Sequence, residues 1–542
     1  MFMQELDTDV LIVGAGPTGL MMANQLNKYG IRYRIIDQKN RRSLYSKALV
    51  VHARTIEMLE ILGVEDKWIN ESFISKQLNF YYNDESLFTI DFSLLRKKTD
   101  FPFLSILPQS ETEKLLENNL PAETVQWSTK LIDIQNHEDS ARATVMKGGE
   151  EYDICARYVI GCDGAHSKTR KLAQMPFEGE SENITVMLGD VEINEPSLNN
   201  KLSLISTQRG LLFFAPFQNN YTRVIAIDFD KQGSNFPEEV TLDEIQASVT
   251  KLYPESLQLE NPFWLSSFTA SHRQVPSYKD KRVFFAGDAA HIHNPLGGQG
   301  MNVGIQDAVN ISWKLAYVLK YHLSPSLLDT YQEERKPVAQ DVIKATDRLI
   351  QVMSIQNKYA IKARNKAMQV FLNNHTIQKK IASRLSQIEV DYTFTSFSKQ
   401  MRKRTEAKKS TTGERIPNIG LHTLRNEKSD LYDLLRSGEC LLLVYTDESG
   451  LPQVKEQVMK ALQVFYQKVG DFLTPVFIIQ NDVQGKNDND EAIYFDIKGE
   501  VKDRLGLSNG DVMIIRPDAY SLVHTSSNQA GNLKEALVNY FG

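Results

Sequence analysis

The sequence predicts an α/β protein with three parts: a discontinuous domain with a parallel sheet, an antiparallel β-sheet domain inserted into it, and a smaller α/β domain towards the C-terminus. Three observations lead to this prediction. A buried strand enters a glycine-rich turn and a helix in VLIVGAGPTGL. Two more buried strands, VIGCDG and VFFAGDAA, end in Asp–Gly or Gly–Asp far along the chain. The intervening segments alternate polar and apolar residues, as strands with one core-facing side do.

The first element, residues 8–37, is predicted to form a strand, a turn, a helix and a second strand. Its opening apolar run is typical of a parallel strand buried on both faces, and Pro17 stands where the first turn of a helix tolerates proline. Gly14 permits a tight turn out of the strand. Gly16 lets the backbone approach a pyrophosphate, and Gly19 lets the helix pack closely on the strand.

The residues after this turn indicate a nucleotide. The N-terminus of the helix offers free N–H groups and the positive end of the helix dipole to a phosphate. Asp37 ends the next strand, where its carboxylate accepts hydrogen bonds from ribose hydroxyls. These features predict a Rossmann-like nucleotide-binding domain. The first motif does not choose between FAD and NAD, but the two later turns favour FAD, because a simple dehydrogenase has no use for them.

The remaining elements follow in order. Residues 53–62 have the apolar spacing of an amphipathic helix. The third turn is followed by a glycine-rich loop and a long helix, and residues 326–385 are helical in pattern. The basic segment MRKRTEAKKSTTGERIP is predicted to be a solvated linker. The predicted parts are the nucleotide-binding domain with a helical extension (1–72, 107–174 and 273–395), the inserted β domain (73–106 and 175–272), the linker (396–416) and the C-terminal domain (417–542).

Composition excludes several classes of function. The chain has 542 residues and a net charge of −6, whereas nucleic acids and acidic membranes need a basic surface. Its three cysteines contain no Cys-x-x-Cys pair, which argues against a disulfide framework or a cysteine-based metal site. There is no apolar run long enough for a membrane span and no secretory signal at the start. We expect a cytoplasmic protein that acts on a small molecule and holds no metal.

These motifs resemble those of the single-component (group A) flavin-dependent aromatic hydroxylases, a family similar in plan to para-hydroxybenzoate hydroxylase. The resemblance rests on GAGPTG, CDGAHSKTR, AGDAAHIHNPLGGQGMNVGIQDAVNISWKL and the later YQEERKP, and it extends over essentially the whole chain. It implies FAD as cofactor, NADPH or NADH as a transient reductant, and O2 as a substrate. It also makes the inserted β domain the substrate-binding domain.

The resemblance assigns residues to FAD. Four residues hold the ADP half, one touches the cofactor from a helix start, two lie near the pyrophosphate and the coenzyme, two lie on the ribitol side and five line the flavin ring. In that order they are Gly14, Gly16, Gly19 and Asp37; Gln109; Asp163 and Gly164; Gly287 and Asp288; Pro295, Gly298, Gly300, Met301 and Asn302. Lys47 stands where many relatives have Arg, so it keeps the charge but loses the bidentate fork, which predicts weaker FAD affinity.

The catalytic groups divide into two sets. Pro295 stiffens the flavin loop and Gly298 lets the ring approach the backbone. The long helix begins among glycines, so its N–H groups can stabilise negative charge on reduced flavin. A phenolic substrate needs a base or a proton relay; His272, Arg223 and Tyr221 are candidates on strands of the inserted domain, and packed strand residues are the alternative interpretation.

The predicted reaction is hydroxylation of a phenolic or polycyclic aromatic substrate through a flavin C4a-hydroperoxide, as the resemblance implies. Only one dinucleotide fingerprint is present, which fits a coenzyme that binds transiently. Arg41 and Arg42 favour NADPH, although surface solvation explains them equally well. Baeyer–Villiger oxygenation, oxidase activity on a polyketide or antibiotic-like substrate, and a non-catalytic FAD-binding scaffold remain alternatives.

The C-terminal part resembles the thioredoxin-like domain appended to phenol hydroxylase and to polyketide hydroxylases. Because it lacks Cys-x-x-Cys, disulfide exchange is not its function. We expect it to serve in packing or in an oligomer contact, such as that of a homodimer.

Overall fold

A computed structural model describes most of the chain. The described residues are 6–45, 48–217, 220–232, 239–253, 257–294, 297–405, 410–469, 471–480, 492–526, 537–538 and 540–541.

The first sheet has eight strands and is the base of the nucleotide-binding domain. Val13 pairs with Gly161 and Gly161 pairs with Phe285, all in parallel strands, so three strands distant in sequence end side by side. The strands are Thr8–Val13, Tyr33–Ile36, Val125–Gln126, Thr129–Asn136, Ala141–Lys147, Glu150–Gly161, Lys279–Asp280 and Val283–Phe285.

Two helices cross where these strands end. A Cβ on Gly304, in the long helix, would lie 2.5 Å from Thr18 Oγ1 in the first helix and 3.1 Å from Gly287 Cα, so the two helices meet at a site with no spare volume. The helices outside the C-terminal region are Pro17–Lys28, Ala53–Leu62, Glu65–Asn70, Gln109–Asn118, Lys168–Leu172, Leu242–Leu252, Gly300–Lys320, Asp329–Met353, Lys358–Leu372, His375–Leu385 and Ser396–Arg404, with 3₁₀ turns at Phe92–Leu95, Gly287–Ala289 and Pro325–Leu328.

The second sheet also has eight strands. Within the described residues, neighbouring strands of this sheet are antiparallel, except that Leu202–Ser206 and Gln77–Tyr82 are parallel. One face packs on the helix Leu242–Leu252. In spatial order the strands are His291–Ile292, Leu259–Gln274, Glu178–Ile193, Thr222–Asp228, Gly210–Pro216, Leu202–Ser206, Gln77–Tyr82 and Glu85–Asp91. A small sheet of Val50–Val51, Phe73–Ser75 and Leu104–Ile106 lies at the junction.

The C-terminal region contains a seven-stranded sheet. In spatial order its strands are Lys428–Asp430, Gly420–Thr423, Ile493–Asp496, Leu473–Gln480, Cys440–Thr446, Asp511–Ile515 and Ser521–Ser526. Helices span Leu431–Leu435 and Leu451–Val469, and a π-helical turn spans Val501–Leu505. The Tyr317 hydroxyl donates to the Gly438 carbonyl, so this region packs directly on the long helix.

The segment expected to be a linker is largely packed. It contains the helix Ser396–Arg404, which Thr395 caps. Thr412 is buried, and Arg415 forms an ion pair with the buried Glu57. Over 396–405 and 410–416 the expectation of a solvated tether is therefore corrected, because a helix forms there, Arg415 pairs with the first domain and Arg402 pairs with Glu414 of the segment itself. The division into domains stays a prediction.

Candidate functional site

Three turns lie together at the carboxyl edge of the first sheet. Each follows one of the three neighbouring strands that end at Val13, Gly161 and Phe285. The pairing continues one residue further, because the Cys162 N–H donates to the Val13 carbonyl at 2.8 Å and the Ala286 N–H to the Gly161 carbonyl at 3.0 Å. In sheets of this type, ligands bind at the carboxyl ends of the strands.

Backbone atoms crowd two of the three glycines of the first turn. Gly14 has φ +103°, and a Cβ there would lie 2.5 Å from the Cys162 carbonyl oxygen. A Cβ on Gly19 would overlap the Gly14 carbonyl. At Gly16, which begins the helix Pro17–Lys28 without a side-chain cap, no heavy atom of the described chain lies within 4 Å of such a Cβ. Open space beside uncapped helix N–H groups is what a bound pyrophosphate needs, so this turn fits the ADP half of FAD.

Asp37 is fixed beside that turn. Its Oδ2 accepts from the Ala15 N–H and its Oδ1 from the Lys39 N–H, each at 2.8 Å. A carboxylate offers about four acceptor sites. Each oxygen therefore keeps capacity for a ribose hydroxyl while the two backbone bonds hold its direction.

Gln109 has a partner that the sequence reading missed. Its Nε2 donates to Glu113 Oε1 at 2.8 Å, and its own N–H donates to the Ala48 carbonyl. Burial raises the pKa of Glu113 to about 7, against the hydrogen bond from Gln109. The i, i+4 spacing in QSETE was the only sequence signal for this pair.

The second turn is held by its own aspartate. Asp163 Oδ1 accepts from Ser167 Oγ at 2.5 Å, and Oδ2 accepts from the Thr169 N–H at 2.9 Å. Asp163 thus stabilises the start of the short helix Lys168–Leu172. Gly164 has φ +78° and, within the described chain, open space beside it. The geometry shows a structural role for Asp163, and a role in coenzyme binding stays a prediction.

The third turn depends on a residue absent from the predictions. Asp307 is fully buried in the long helix, and its Oδ2 accepts from the Gly287 N–H at 3.2 Å and from His291 Nε2 at 2.6 Å. Its Oδ1 accepts from Arg335 Nε at 2.8 Å. Gly287 itself has φ +58°, and Asp288 beside it is exposed. Asp307 therefore fixes the turn that presents Asp288.

Asn302 holds the flavin loop through its side chain. Its Nδ2 donates to the carbonyls of Val50 and Gly298 at 2.8 Å, and its Oδ1 accepts from the His52 N–H at 2.9 Å. Gly298 needs its small size, because a Cβ there would meet Val50 Cβ at 2.9 Å. These bonds leave the backbone of Asn302, rather than its amide, as the part that can face a ligand.

The remaining loop residues complete this side of the site. Gly300 begins the long helix, Gln299 provides no side-chain cap to it in the described chain, and Met301 is half-buried. Burial lowers the pKa of both His52 and His293 to about 4. Both imidazoles are therefore neutral near pH 7. Pro295 and Lys47, both predicted to contact FAD, lie outside the described residues.

Arg223 forms a buried ion pair on the second sheet. Its Nε and Nη2 donate to Asp190 Oδ1 and Oδ2, both at 2.7 Å, and its guanidinium lies 5.5 Å from the centre of the Trp264 ring. A guanidinium has donors only. This bidentate pair favours a structural role for Arg223 over the proton relay considered from the sequence.

The other two candidates have different surroundings. His272 Nδ1 is 3.6 Å from Asp347 Oδ2, in an open groove between its strand and the helix Asp329–Met353. Tyr221 packs against Phe217 and Phe263, with ring centroids 6.1 and 5.8 Å away. His272 therefore lies away from the other two candidates, since it stands eight residues along its strand from Trp264, whereas Tyr221 packs on the adjacent Phe263.

A row of side chains lies on the face of the second sheet opposite the helix Leu242–Leu252. Phe213 pairs with Ile225, Ile225 with Leu188, and Leu188 with Ser266, so these four share one face. Phe213 and Ile225 are partly exposed although they pack against the main core. Apolar side chains that are packed without being fully buried fit the wall of a small-molecule site.

Two other kinds of site were searched for in the described part of the chain. No group of three His, Cys, Asp or Glu residues there is arranged to hold a metal ion. None of the described helices is long and apolar enough to cross a membrane.

Comparisons with known proteins agree with this geometry. A family model described as FAD binding domain matches residues 7–346. The chain is 32% identical over 444 residues to an uncharacterized aromatic compound monooxygenase of Bacillus subtilis (strain 168), with 81% of this chain and 86% of that protein covered. It is 35% identical over 358 residues to pentachlorophenol 4-monooxygenase of Sphingobium chlorophenolicum, covering 65% and 66%. The solved anhydrotetracycline hydroxylase of Streptomyces rimosus has a TM-score of 0.77 at 27% identity, covering 99% of each chain.

Proposed function

The chain belongs to the family of FAD-dependent aromatic monooxygenases, and we propose that it uses NADPH or NADH and O2 to hydroxylate a phenolic or polycyclic aromatic compound. The observation that carries this proposal is the register of three strands, Val13 beside Gly161 beside Phe285, which assembles three distant turns at one sheet edge. Relatives named as monooxygenases favour hydroxylation over an oxidase or a scaffold role.

The first turn and its neighbours would bind the ADP half. The N–H groups of the helix that begins after Gly16 would hold the pyrophosphate, and Asp37 would accept from the ribose. Gln109 would lie beside this half, with Glu113 fixing its amide. Lys47 would add a positive charge here, without the fork of an arginine.

The flavin ring would lie at the start of the long helix. FAD supplies the redox chemistry, accepting hydride from the coenzyme and activating O2. The uncapped N-terminus at Gly300 would stabilise negative charge on the ring. His52 and His293 are neutral near pH 7, so they contribute no positive charge to this stabilisation. Pro295 and Gly298 would shape the loop under the ring.

The substrate would lie between this ring and the second sheet. Support comes from Phe213 and Ile225, which are partly exposed on the sheet face opposite the helix Leu242–Leu252. A planar aromatic molecule on these side chains would exclude water from the reacting atoms. His272, expected from the sequence as a proton acceptor, lies beside Asp347 and six residues along its strand from Ser266, so we do not place it at this wall.

The test is a coenzyme oxidation assay on the purified protein loaded with FAD. NADPH and NADH are each supplied with a chlorinated phenol or an anhydrotetracycline, and the products are analysed by mass spectrometry under isotopically labelled O2. We expect at least one aromatic both to accelerate coenzyme oxidation and to gain one labelled oxygen atom. Production of hydrogen peroxide alone across a broad panel of aromatics would contradict the proposal.

A further inference from the structure

The C-terminal region contributes two buried charged residues to the first domain. We name residues 516–518 the C-terminal corner. Arg516 donates to both carboxylate oxygens of Glu334, at 2.6 and 2.9 Å, and to both oxygens of Asp518, at 2.9 and 2.6 Å. All three side chains are at least 97% buried. One guanidinium thus joins the corner to the helix Asp329–Met353 by two bidentate pairs.

A first path runs from this ion pair to the third turn. Glu334 is followed by Arg335, which donates to Asp307 Oδ1 at 2.8 Å. The other oxygen of Asp307 holds the Gly287 N–H and His291. Each step along this path is a charged hydrogen bond or a covalent neighbour, and each member is buried.

The same carboxylate also holds the long helix. Glu334 Oε2 accepts from Asn310 Nδ2 at 2.7 Å and from Lys314 Nζ at 2.8 Å. Both residues belong to the helix Gly300–Lys320, whose first turn faces the flavin loop. A displacement of Glu334 would therefore change the position of this helix.

A second path runs from the corner to the flavin loop. The Asp518 carbonyl accepts from Arg54 Nη2 at 2.6 Å. Arg54 lies in the first turn of the helix Ala53–Leu62, which begins after His52. His52 donates its N–H to Asn302 Oδ1, and its Nε2 lies 3.0 Å from the Gly297 carbonyl. The corner is thus linked to the third turn through Glu334, Arg335 and Asp307, and to the loop expected to hold the flavin through Arg54 and His52.

The electrostatics show that these charges depend on one another. Burial alone would raise the pKa of Glu334, but the positive charges of Arg516 and Lys314 outweigh it and hold this pKa at about 2. Burial lowers the pKa of Lys314 to about 8 against the attraction of Glu334. Removing Arg516 would leave two buried carboxylates without their main counter-charge, which is far more costly than losing a surface pair.

We propose that the C-terminal corner is a positioning element for FAD: Arg516 and Asp518 hold the third turn and the flavin loop in their binding geometry, so the C-terminal region sets the affinity of the chain for its cofactor. This inference rests on the proposed placement of FAD at the three turns. Arg516 and Asp518 act through other residues and touch neither cofactor nor substrate.

The test measures FAD affinity and folding separately. Flavin-free wild type, Arg516→Lys and Arg516→Met are titrated with FAD by flavin fluorescence, and their folding is followed by circular dichroism and urea unfolding. Asp496→Asn is the matched control. Asp496 is a buried carboxylate of the same C-terminal sheet that accepts from the Glu500 and Val501 N–H groups, away from both paths.

We expect Arg516→Met to raise the dissociation constant for FAD by at least about tenfold while the protein remains folded. Arg516→Lys should fall between it and wild type, because lysine restores the charge but not the fork. Asp496→Asn should lower stability yet leave FAD affinity within about twofold of wild type. If Arg516→Met fails to fold, the FAD affinity of Arg516→Lys is compared with that of wild type instead.

Equal FAD affinity in folded Arg516 variants and wild type would overturn the inference and leave the proposed function standing. The same would follow if Asp496→Asn weakened FAD as much as Arg516→Lys, since general loosening of the C-terminal sheet would then explain both. A wild-type protein that takes up no FAD would instead overturn the proposed function, and the inference with it.

Discussion

At the scale of single residues, the glycines of the first turn are of two kinds. Gly14 and Gly19 are required by the fold, because a side chain at either would collide with backbone. Gly16 has φ −79° and ψ −175°, an extended conformation open to any residue, and free space beside it. Only the ligand, not the protein, would require glycine at position 16.

This difference predicts opposite outcomes for two alanine variants. Gly16→Ala should cost the flavin-free protein no more than about 1 kcal/mol, as for an exposed helix N-cap, but weaken FAD binding at least about tenfold. Gly14→Ala should destabilise the flavin-free protein by about 2 kcal/mol or more, through strain and overlap. Urea unfolding and fluorescence titration check both. Unchanged FAD affinity in Gly16→Ala would show that the pyrophosphate does not bind at this turn.

Glu113 predicts a pH dependence of stability. Its pKa is raised in the folded chain from 4.5 to about 7, so the folded state holds the proton more tightly than the unfolded state. The resulting stabilisation is fully present below pH 4.5 and is lost as pH rises through about 7. Glu113→Gln should remove this loss and melt above wild type at about pH 8, with a smaller difference at about pH 5. Thermal unfolding of the flavin-free proteins at both pH values measures this difference. A difference in melting temperature between Glu113→Gln and wild type that does not change with pH would contradict the assigned pKa.

Single residues also show how much of the candidate site could be predicted from the sequence. Gly14, Gly16 and Asp37 were predicted because one continuous segment carries their pattern. Asp190 and Asp307 were missed, because their partners Arg223 and Arg335 stand 33 and 28 positions away. The residues next to a carboxylate in the sequence do not indicate that its partner lies on another helix or strand. The contacts with FAD themselves stay predictions.

At the scale of elements, the crossing of the first and long helices controls the geometry of the site. Thr18, Gly287 and Gly304 meet there, and Gly287 belongs to the third turn. The sequence predicted both helices from their glycines and apolar spacing. It did not predict their contact, because 286 positions separate Thr18 from Gly304. It also assigned a linker where the structure describes the helix Ser396–Arg404 and the pairing of Arg415 with Glu57 of the first domain.

Gly304→Ala tests this crossing. The added methyl group would overlap Thr18 Oγ1, so we expect the free energy of unfolding to fall by about 1–3 kcal/mol. Thr18→Ala in the same chain removes that oxygen and should restore part of the loss, leaving the closer approach to Gly287 Cα. Urea unfolding of the two single variants and the double variant measures the coupling. Additive effects would show that the two residues do not share the site.

At the scale of the whole molecule, the α/β fold and membership of the FAD-dependent aromatic monooxygenases, both predicted from the sequence, are confirmed. The three motifs sufficed because each is a local pattern of strand, turn and helix. The packing expected of the C-terminal region was predicted, but the contact of Arg516 with Glu334 was not, because 182 positions separate the two residues. Its thioredoxin-like fold and any homodimer contact stay predictions.

The central claim is that three turns, distant in sequence, hold one FAD at the carboxyl edge of the first sheet. A crystal structure of the protein crystallised with FAD would test this claim most directly. We predict the pyrophosphate at the helix N-terminus after Gly16, the adenosine ribose on Asp37, and the flavin ring against the loop that ends at Asn302. Density for FAD at any other place, or contacts with the first turn alone, would contradict the account.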